Sequence, residues 1–305
     1  MKKFHARSID ISPSFLYHRL TMSLTLDGKT LAQTIRNKIK ERVAVMEQKP
    51  GLAVLLVGDD PASHVYVGLK QKACEEVGIH FEDFLFPRDV EEKVLIEKIE
   101  ELNARKDIHG ILVQLPLPMQ DADRIIEAIN PKKDVDGFHP DNLKQLRIGK
   151  PALAPAVALG IMKLVDVAFE TLGVKNRRQK HATIVGSDLF AEPLRILLHE
   201  QGITSDVTNV DEPYFKKKTT RADILIVAVG KPLVITNEFV KPDAIVIDVG
   251  TTKIDGKLVG DVDRQSLELL ASAVSPVPGG VGPMTVAMLM LNVLKAASSN
   301  KKISL

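Results

Sequence analysis

Tyr66 and Lys70 stand four residues apart in the run DDPASHVYVGLKQKACEEVG (59–78), a spacing that puts both on one face of a helix. A lysine held by a hydrogen-bond partner beside apolar walls loses solvation, so its pKa falls and it becomes useful for moving protons, while an aromatic ring one turn away offers a stacking surface. The plain alternative is a surface lysine beside a half-buried tyrosine. Gln114 closes the apolar run of GILVQLPLP (110–118), where prolines forbid helical continuation and where open α/β sheets present ligands. Its amide can orient a lysine and polarise a substrate atom, or simply cap a sheet. KDVDGFHP (133–140) sets Asp134 and Asp136 at alternating positions, so only one is expected to face a given site. That carboxylate would suit paired donors on an amino-substituted heterocycle; otherwise both aspartates form a turn before Gly137. PVPGGVGPMT (276–285) joins rigid prolines to three glycines, which permits exposed backbone N–H groups and close approach to a planar ligand. The alternative there is a tight interdomain turn.

A second kind of chemistry is suggested by HATIVGSDLFAEPLRILLHEQG (181–202), which reads as a strand, a turn and a helix whose N-terminus would face a pyrophosphate. Only Gly186 marks the turn, followed by Ser187 and Asp188, and the full G-x-G-x-x-G is absent. Asp206 and Asp211 follow Gly186 by 20 and 25 positions, the region where an acid can accept the ribose 2′-hydroxyl of NAD; an exposed loop acid is the competing reading. Cys74, one turn beyond Lys70, is either a thiol perturbed by that lysine or a small core residue. The histidines, His139 included, show no H-x-x-x-H or H-x-x-E-H spacing, and a single cysteine cannot pair, so no built-in metal site is expected. Neither G-x-S-x-G nor G-x-x-x-x-G-K-[ST] occurs, which removes the leading cues for serine hydrolases and P-loop enzymes.

These residues must be positioned by an α/β scaffold. Short β-rich runs at 52–58, 110–115, 182–186, 223–230 and 244–250 alternate with helical patterns such as VYVGLKQKACEEVG, VEEKVLIEKIEELNARK and LRILLHEQG, which predicts doubly wound parallel-sheet packing. The Gly/Pro-rich segment DGFHPDNLKQLRIGKPALAP breaks the pattern. We therefore expect a first α/β catalytic domain over 22–141 and a Rossmann-like domain over 142–282, with a long helix over 283–299 returning to the first domain. Residues 1–21 lack a sustained apolar segment and read as a loose, disordered extension, with Met22 as the functional start and organelle targeting as the alternative. A 305-residue chain with 45% apolar residues can bury two cores. Its 41 basic and 39 acidic residues nearly cancel, which points away from nucleic acid and membrane partners and toward a small molecule. The lone thiol fits a cytoplasmic setting.

The ordered set DGKTLAQTIR, PGLAVLLVGDDPASHVYVGLKQKACEEVGI, HGILVQLPLP, KDVDG and PVPGGVGPMTVAMLM closely resembles the bifunctional methylenetetrahydrofolate dehydrogenase/cyclohydrolase (FolD) family, from about Leu24 to Ala297. The resemblance implies two domains flanking a cleft, a homodimer, and tetrahydrofolate one-carbon derivatives as substrates in a route that feeds purine synthesis. It implies that Lys70 is the central catalytic lysine, that Gln114 orients it, that Tyr66 stacks on the folate and that Asp136 binds the pterin. Leu115, Gly279, Gly280 and Pro283 would complete the folate side.

On the cofactor side the chain departs from the family. Where the family has G-R-S-x-x-V-G-x-P, this sequence has GSDLFAEP, one residue shorter and without the arginine. TNVDEP (208–213) replaces the C-H-S-x-T-like segment, PAVA (155–158) replaces P-C-T-P, and Thr251 takes a position commonly held by isoleucine. Gly186, Ser187, Asp188 and Thr251 are the candidate dinucleotide contacts. NADP is the first expectation, with Arg195 or Lys216 as substitute cations; NAD is the alternative, because a lost arginine and a nearby aspartate oppose a 2′-phosphate. Two other readings stay open at this point: a cyclohydrolase without dehydrogenase activity, and a noncatalytic folate-binding or partner-binding protein.

Overall fold

A computed structural model describes residues 22–298; the expected extension 1–21 and residue 299 of the expected last helix lie outside them. The first half of the chain builds β1 (Leu24–Thr25), α1 (Gly28–Ala44), β2 (Gly51–Val57), α2 (Pro61–Val77), β3 (His80–Phe86), α3 (Glu92–Ala104), β4 (Gly110–Val113), α4 (Ala122–Glu127) and α5 (Pro140–Arg147). Strands β3, β2 and β4 form a small parallel sheet in that order. Every residue of β2 is buried, as expected for a central strand covered on both faces. Leu52, Val54 and Leu56 join the core shared with α1 and α2, whereas Ala53, Leu55 and Val57 join a separate core with α3 and α4. The period-two alternation of a strand thus serves two layers.

The second half supplies α6 (Ala156–Thr171), β5 (His181–Val185), α7 (Asp188–Glu200), β6 (Thr204–Thr208), α8 (Phe215–Thr219), β7 (Ile224–Val227), β8 (Ile245–Asp248), the hairpin β9 (Thr252–Ile254) and β10 (Lys257–Val259), β11 (Ala273–Val274) and α9 (Val281–Ala297). Its sheet runs β1-β11-β8-β7-β5-β6, parallel throughout. From β5 the chain moves outward to β6 and then back across to β7. The crevice above the carboxyl ends of β5 and β7 is therefore the switch point at which doubly wound sheets bind ligands.

Two features cross the chain-order division. β1 pairs with β11, so the first described strand lies in the second sheet; two residues are too few to show a periodic signature. At the other end, α9 packs on α1, α2 and α6, and its fully buried Asn292 donates to the carbonyls of Val135 (2.8 Å) and Ala154 (2.9 Å). That side chain ties the last helix to the KDVDG segment. Asn142, where the sequence reading begins a second domain, lies inside α5 and donates to Pro131 and Asp134. Among the described residues no helix is long and apolar enough to cross a membrane, and no group of three or more His, Cys, Asp or Glu is placed to hold a metal ion.

Candidate active site

Helix α2 starts where Asp60 accepts the Ser63 N–H at 2.8 Å with Pro61 in the first turn, and ends at Gly78 in the left-handed conformation. Between these stops it presents Tyr66 and Lys70. The Lys70 Nζ donates to Gln114 Oε1 at 2.5 Å. Gln114 follows β4 directly and is held to the sheet by its own N–H on the Leu55 carbonyl (2.9 Å), while its Nε2 donates to the carbonyl of Leu115 (2.7 Å). With its oxygen fixed on the lysine, the amide cannot rotate freely.

The two aspartates divide as the alternation requires. Asp134 is buried and accepts from the N–H groups of Gly137 (3.1 Å) and His139 (2.8 Å) and from Asn142 Nδ2 (2.9 Å); it builds the loop. His139 caps α5 by accepting from Asp141 N–H. Asp136 is left free to face Lys70. Desolvation pushes the Asp136 carboxyl up to about 6, with the charge of Lys70 opposing and that of Asp134 adding to the rise. The same burial lowers Lys70, against the stabilising charge of Asp136. An ammonium made easier to deprotonate beside a carboxyl made easier to protonate is suited to proton handling near neutral pH.

On the other side of Tyr66 opens a cleft of about 360 Å³, lined among others by Tyr66, Thr251, Gly279, Gly280 and Pro283. Its floor depends on one close approach: a Cβ on Gly28 would sit 2.0 Å from the Gly280 carbonyl oxygen, and Lys29 N–H donates to the Gly279 carbonyl at 2.9 Å. The DGK start of α1 and the PGG loop thus fit together only without side chains at those glycines. Lys70, Gln114 and Asp136 do not line this cleft. Tyr66 stands at the border between the two parts, and Leu115, 40% exposed, lies outside it with Gln114. The Tyr66 hydroxyl is 3.1 Å from the Thr251 hydroxyl, so Thr251, read from sequence as a cofactor contact, touches the folate-side tyrosine across the cleft.

The dinucleotide candidates gather at the switch point. Gly186 is buried at the end of β5, where a Cβ would come within 3.1 Å of the Ala228 carbonyl. Ser187 caps α7 by accepting Phe190 N–H at 3.3 Å, and Asp188 is exposed in its first turn. A 13-residue helix aimed at the crevice fits a pyrophosphate, although the Asp188 carboxylate opposes it. At the end of β6, Glu212 accepts from Thr208 (3.0 Å), the Asn209 N–H (3.2 Å) and Lys218 (2.8 Å), while Lys231 pairs with Asp211 at 3.2 Å. The residues fit a nicotinamide dinucleotide, and Lys218 and Lys231 near this end already have carboxylate partners.

Three sequence readings on this side need correction. Asp206 sits within β6, accepting from Thr183 at 2.9 Å and paired with Arg221, so it does not reach a ribose. Arg195 lines a groove with Ile203 and Thr204 at the start of β6, the end opposite the crevice. Lys216 pairs with Glu238 at 2.8 Å. Asp206 was placed by sequence distance and the two cations by their charge alone, neither of which says where a side chain lies relative to the crevice. Cys74 is fully buried beside Met290 and its thiol is pushed up to about 12, chiefly by desolvation; it is a core residue.

Sequence reasoning missed two groups. Lys29, Arg36, Lys72 and Glu76 line the outer cleft, and only their seven- and four-residue spacings on α1 and α2 hinted at shared faces. Asp248 and Asp261 are buried. Asp248 accepts the N–H groups of Gly250, Asp261 and Val262, each at 3.0 Å, and Asp261 accepts those of Val229 (2.7 Å) and Gly230 (2.9 Å). Together they fix the carboxyl ends of β7 and β8. Burial raises Asp248 to about 6 despite those donors.

Comparison with known proteins matches both halves. The model of the tetrahydrofolate dehydrogenase/cyclohydrolase catalytic domain covers residues 26–136, and that of the NAD(P)-binding domain covers 155–301. The bifunctional protein FolD of Bordetella avium is 47% identical over 278 residues, 89% of this chain and 96% of that protein. The bifunctional enzyme FolD from Campylobacter jejuni superimposes with a TM-score of 0.86 at 38% identity, covering 92% of this chain and all of that one. The Trypanosoma brucei enzyme, solved with NADP cofactor and an inhibitor, gives 0.85 at 33% identity over 91% of this chain and 98% of that one.

Proposed function

The chain belongs to the tetrahydrofolate dehydrogenase/cyclohydrolase family, and from that premise we propose how its own residues carry the two reactions. The enzyme oxidises 5,10-methylenetetrahydrofolate to 5,10-methenyltetrahydrofolate and hydrolyses that product to 10-formyltetrahydrofolate. The bound nicotinamide cofactor, NADP or alternatively NAD, supplies the acceptor for the hydride that leaves the one-carbon bridge. Gly186, Ser187 and the first turn of α7 would hold its pyrophosphate.

Tyr66 stacks on the p-aminobenzoyl ring, and Asp136 accepts the paired N–H donors of the pterin. The observation that carries the catalytic reading is the Lys70–Gln114 hydrogen bond beside the desolvated Asp136 carboxyl. In the first step the ammonium lies near the reacting centre, and Gln114 keeps it aimed. In the second, water adds to the electrophilic methenyl carbon and the five-membered ring opens. Lys70, whose pKa is lowered by burial, takes in its neutral form a proton from the attacking water and returns it to the departing ring nitrogen; the hydroxyl proton of the adduct leaves to solvent as the formyl C=O forms, so cation plus water gives 10-formyltetrahydrofolate plus one proton. Gly279, Gly280 and Pro283 close the cleft wall against the planar substrate, and Leu115 supplies apolar surface beside Gln114. One pocket serves both steps because the product of the oxidation is the electrophile of the hydrolysis. The protein is expected to act as a homodimer in the cytoplasm.

The test is a purified-protein assay of methylenetetrahydrofolate oxidation with each cofactor, alongside hydrolysis of methenyltetrahydrofolate. Turnover in both is the expected result. Hydrolysis without oxidation would reduce the enzyme to a cyclohydrolase, and folate binding without turnover in either would leave a binding protein.

A further inference from the structure

A second pocket, of about 300 Å³, opens on a different face of the last helix from the catalytic cleft. Ile35 of α1, Leu159 and Met162 of α6, Leu197 of α7, and Met288 and Leu291 of α9 give it an apolar wall. At about 100° per residue, Met288, Leu291 and Lys295 are turned away from Pro283 and Val286, the α9 residues that line the cleft. No residue assigned to the folate or the dinucleotide lines this pocket.

Its charged residues differ in how they are satisfied. Asp166 is taken, since Arg177 donates to it at 2.5 Å and Gln201 at 3.2 Å. Lys163 and Glu200 are exposed on the rim, so water solvates both. Lys295 is half-buried, and burial lowers its pKa with no carboxylate acting against that shift. Among the described residues its ammonium enters no ion pair and no side-chain hydrogen bond. The last-turn carbonyls of α9 favour a cation at this position, which accounts for a lysine here but not for an apolar pocket beside it.

An ammonium drawn out of water without an anion is costly, and so is apolar surface left in water around it. One kind of ligand relieves both, with an apolar body for the wall and a single negative charge for Lys295. A second anionic group would be opposed by Glu200 on the rim. A neutral apolar molecule would bury Lys295 further and leave it unpaired. We propose that this pocket binds a small amphipathic monocarboxylate, its apolar body against α1, α6, α7 and α9 and its carboxylate on Lys295, at a site separate from the catalytic cleft. Such a ligand bridges helices from both halves of the chain, and the assignment does not depend on the folate reading.

The experiment titrates octanoate into the full-length protein by calorimetry, with octan-1-ol as the neutral probe of equal chain length. Both are repeated on Lys295→Met, which keeps an apolar stem of similar size without the charge. Octanoate should bind the wild type roughly tenfold more tightly than octan-1-ol does, and should lose about tenfold in Lys295→Met. Lys163→Gln should lose less than about twofold, because that ammonium stays in water. Lys295→Met should hydrolyse methenyltetrahydrofolate like the wild type, and octanoate should not compete with that substrate. Absence of octanoate binding, equal binding of acid and alcohol, or unweakened octanoate binding in Lys295→Met would overturn the assignment. Competition with the folate would also overturn it, by placing the anion in the catalytic cleft. The comparison of acid with alcohol needs only the wild type, so it decides the question even if Lys295→Met folds poorly.

Discussion

The two sides of the cleft handle charge in opposite ways. On the folate side, Lys70 is desolvated and answered by a neutral amide oxygen and a nearby carboxyl that burial has pushed up to about 6. On the dinucleotide side the cations are matched within the protein, with Glu212 holding Lys218 and Asp211 holding Lys231, while the Asp188 carboxylate stands exposed in the first turn of α7. Poorly compensated groups are unstable alone and available to a substrate, whereas paired surface groups must first give up a partner. One half of the cleft is therefore poised for chemistry while the other keeps its cations committed to partners within the protein.

Lys70→Met should give the largest effect. It removes the proposed proton carrier, so hydrolysis should fall by about 100-fold or more, whereas cofactor binding followed by nicotinamide fluorescence should change little. Near-normal hydrolysis in this variant would erase the contrast between the two sides. Gln114→Ala frees the lysine without removing it and should cost about tenfold in kcat, with a smaller change in KM.

The pH dependence sharpens the same contrast. In the proposed role Asp136 must be ionised to accept the pterin donors, and its pKa is raised to about 6, so folate affinity should be complete above that value and lost as pH falls through it. KM for the folate should rise below about pH 6 in the wild type. In Asp136→Asn that inflection should disappear while KM is high throughout; an unaltered pH profile would remove Asp136 from the site.

The smallest effects belong to the cofactor side. Asp188→Asn removes a carboxylate from a helix N-terminus that faces phosphate, and should lower KM by about two- to fivefold, more for NADP than for NAD because NADP carries the extra phosphate. Equal changes for the two cofactors would place Asp188 away from the 2′-phosphate. Thr251→Val deletes the hydroxyl that meets Tyr66 and should raise the folate KM by about two- to threefold. A shift confined to the cofactor KM would return Thr251 to the dinucleotide side alone.

Much of the site was legible because its residues sit in short local patterns. The four-residue step from Tyr66 to Lys70, the alternation of Asp134 and Asp136 and the strand-end position of Gln114 each follow from the 3.6 and 2.0 periods of helix and strand. The cofactor acids and cations were not legible. Asp206 lies at the expected distance from Gly186 but inside β6, and Arg195 lies on the right helix but at the wrong end of the neighbouring strand. Counting along the chain gives separation, and it gives no direction relative to the crevice.

The sequence by itself determined the α/β class and the shortened dinucleotide turn, which reside in contiguous runs whose periodicity or residue types act locally, while Lys70 was singled out as catalytic through the resemblance to a known family. Only the tertiary structure decided that β1 joins the second sheet, that Asn292 ties the last helix to the KDVDG loop, and that Tyr66 divides the Lys70 network from a cleft ending in Lys29 and Lys72. Those arrangements depend on contacts between segments far apart in the chain, where hydrogen-bond satisfaction and close packing select one partner among many.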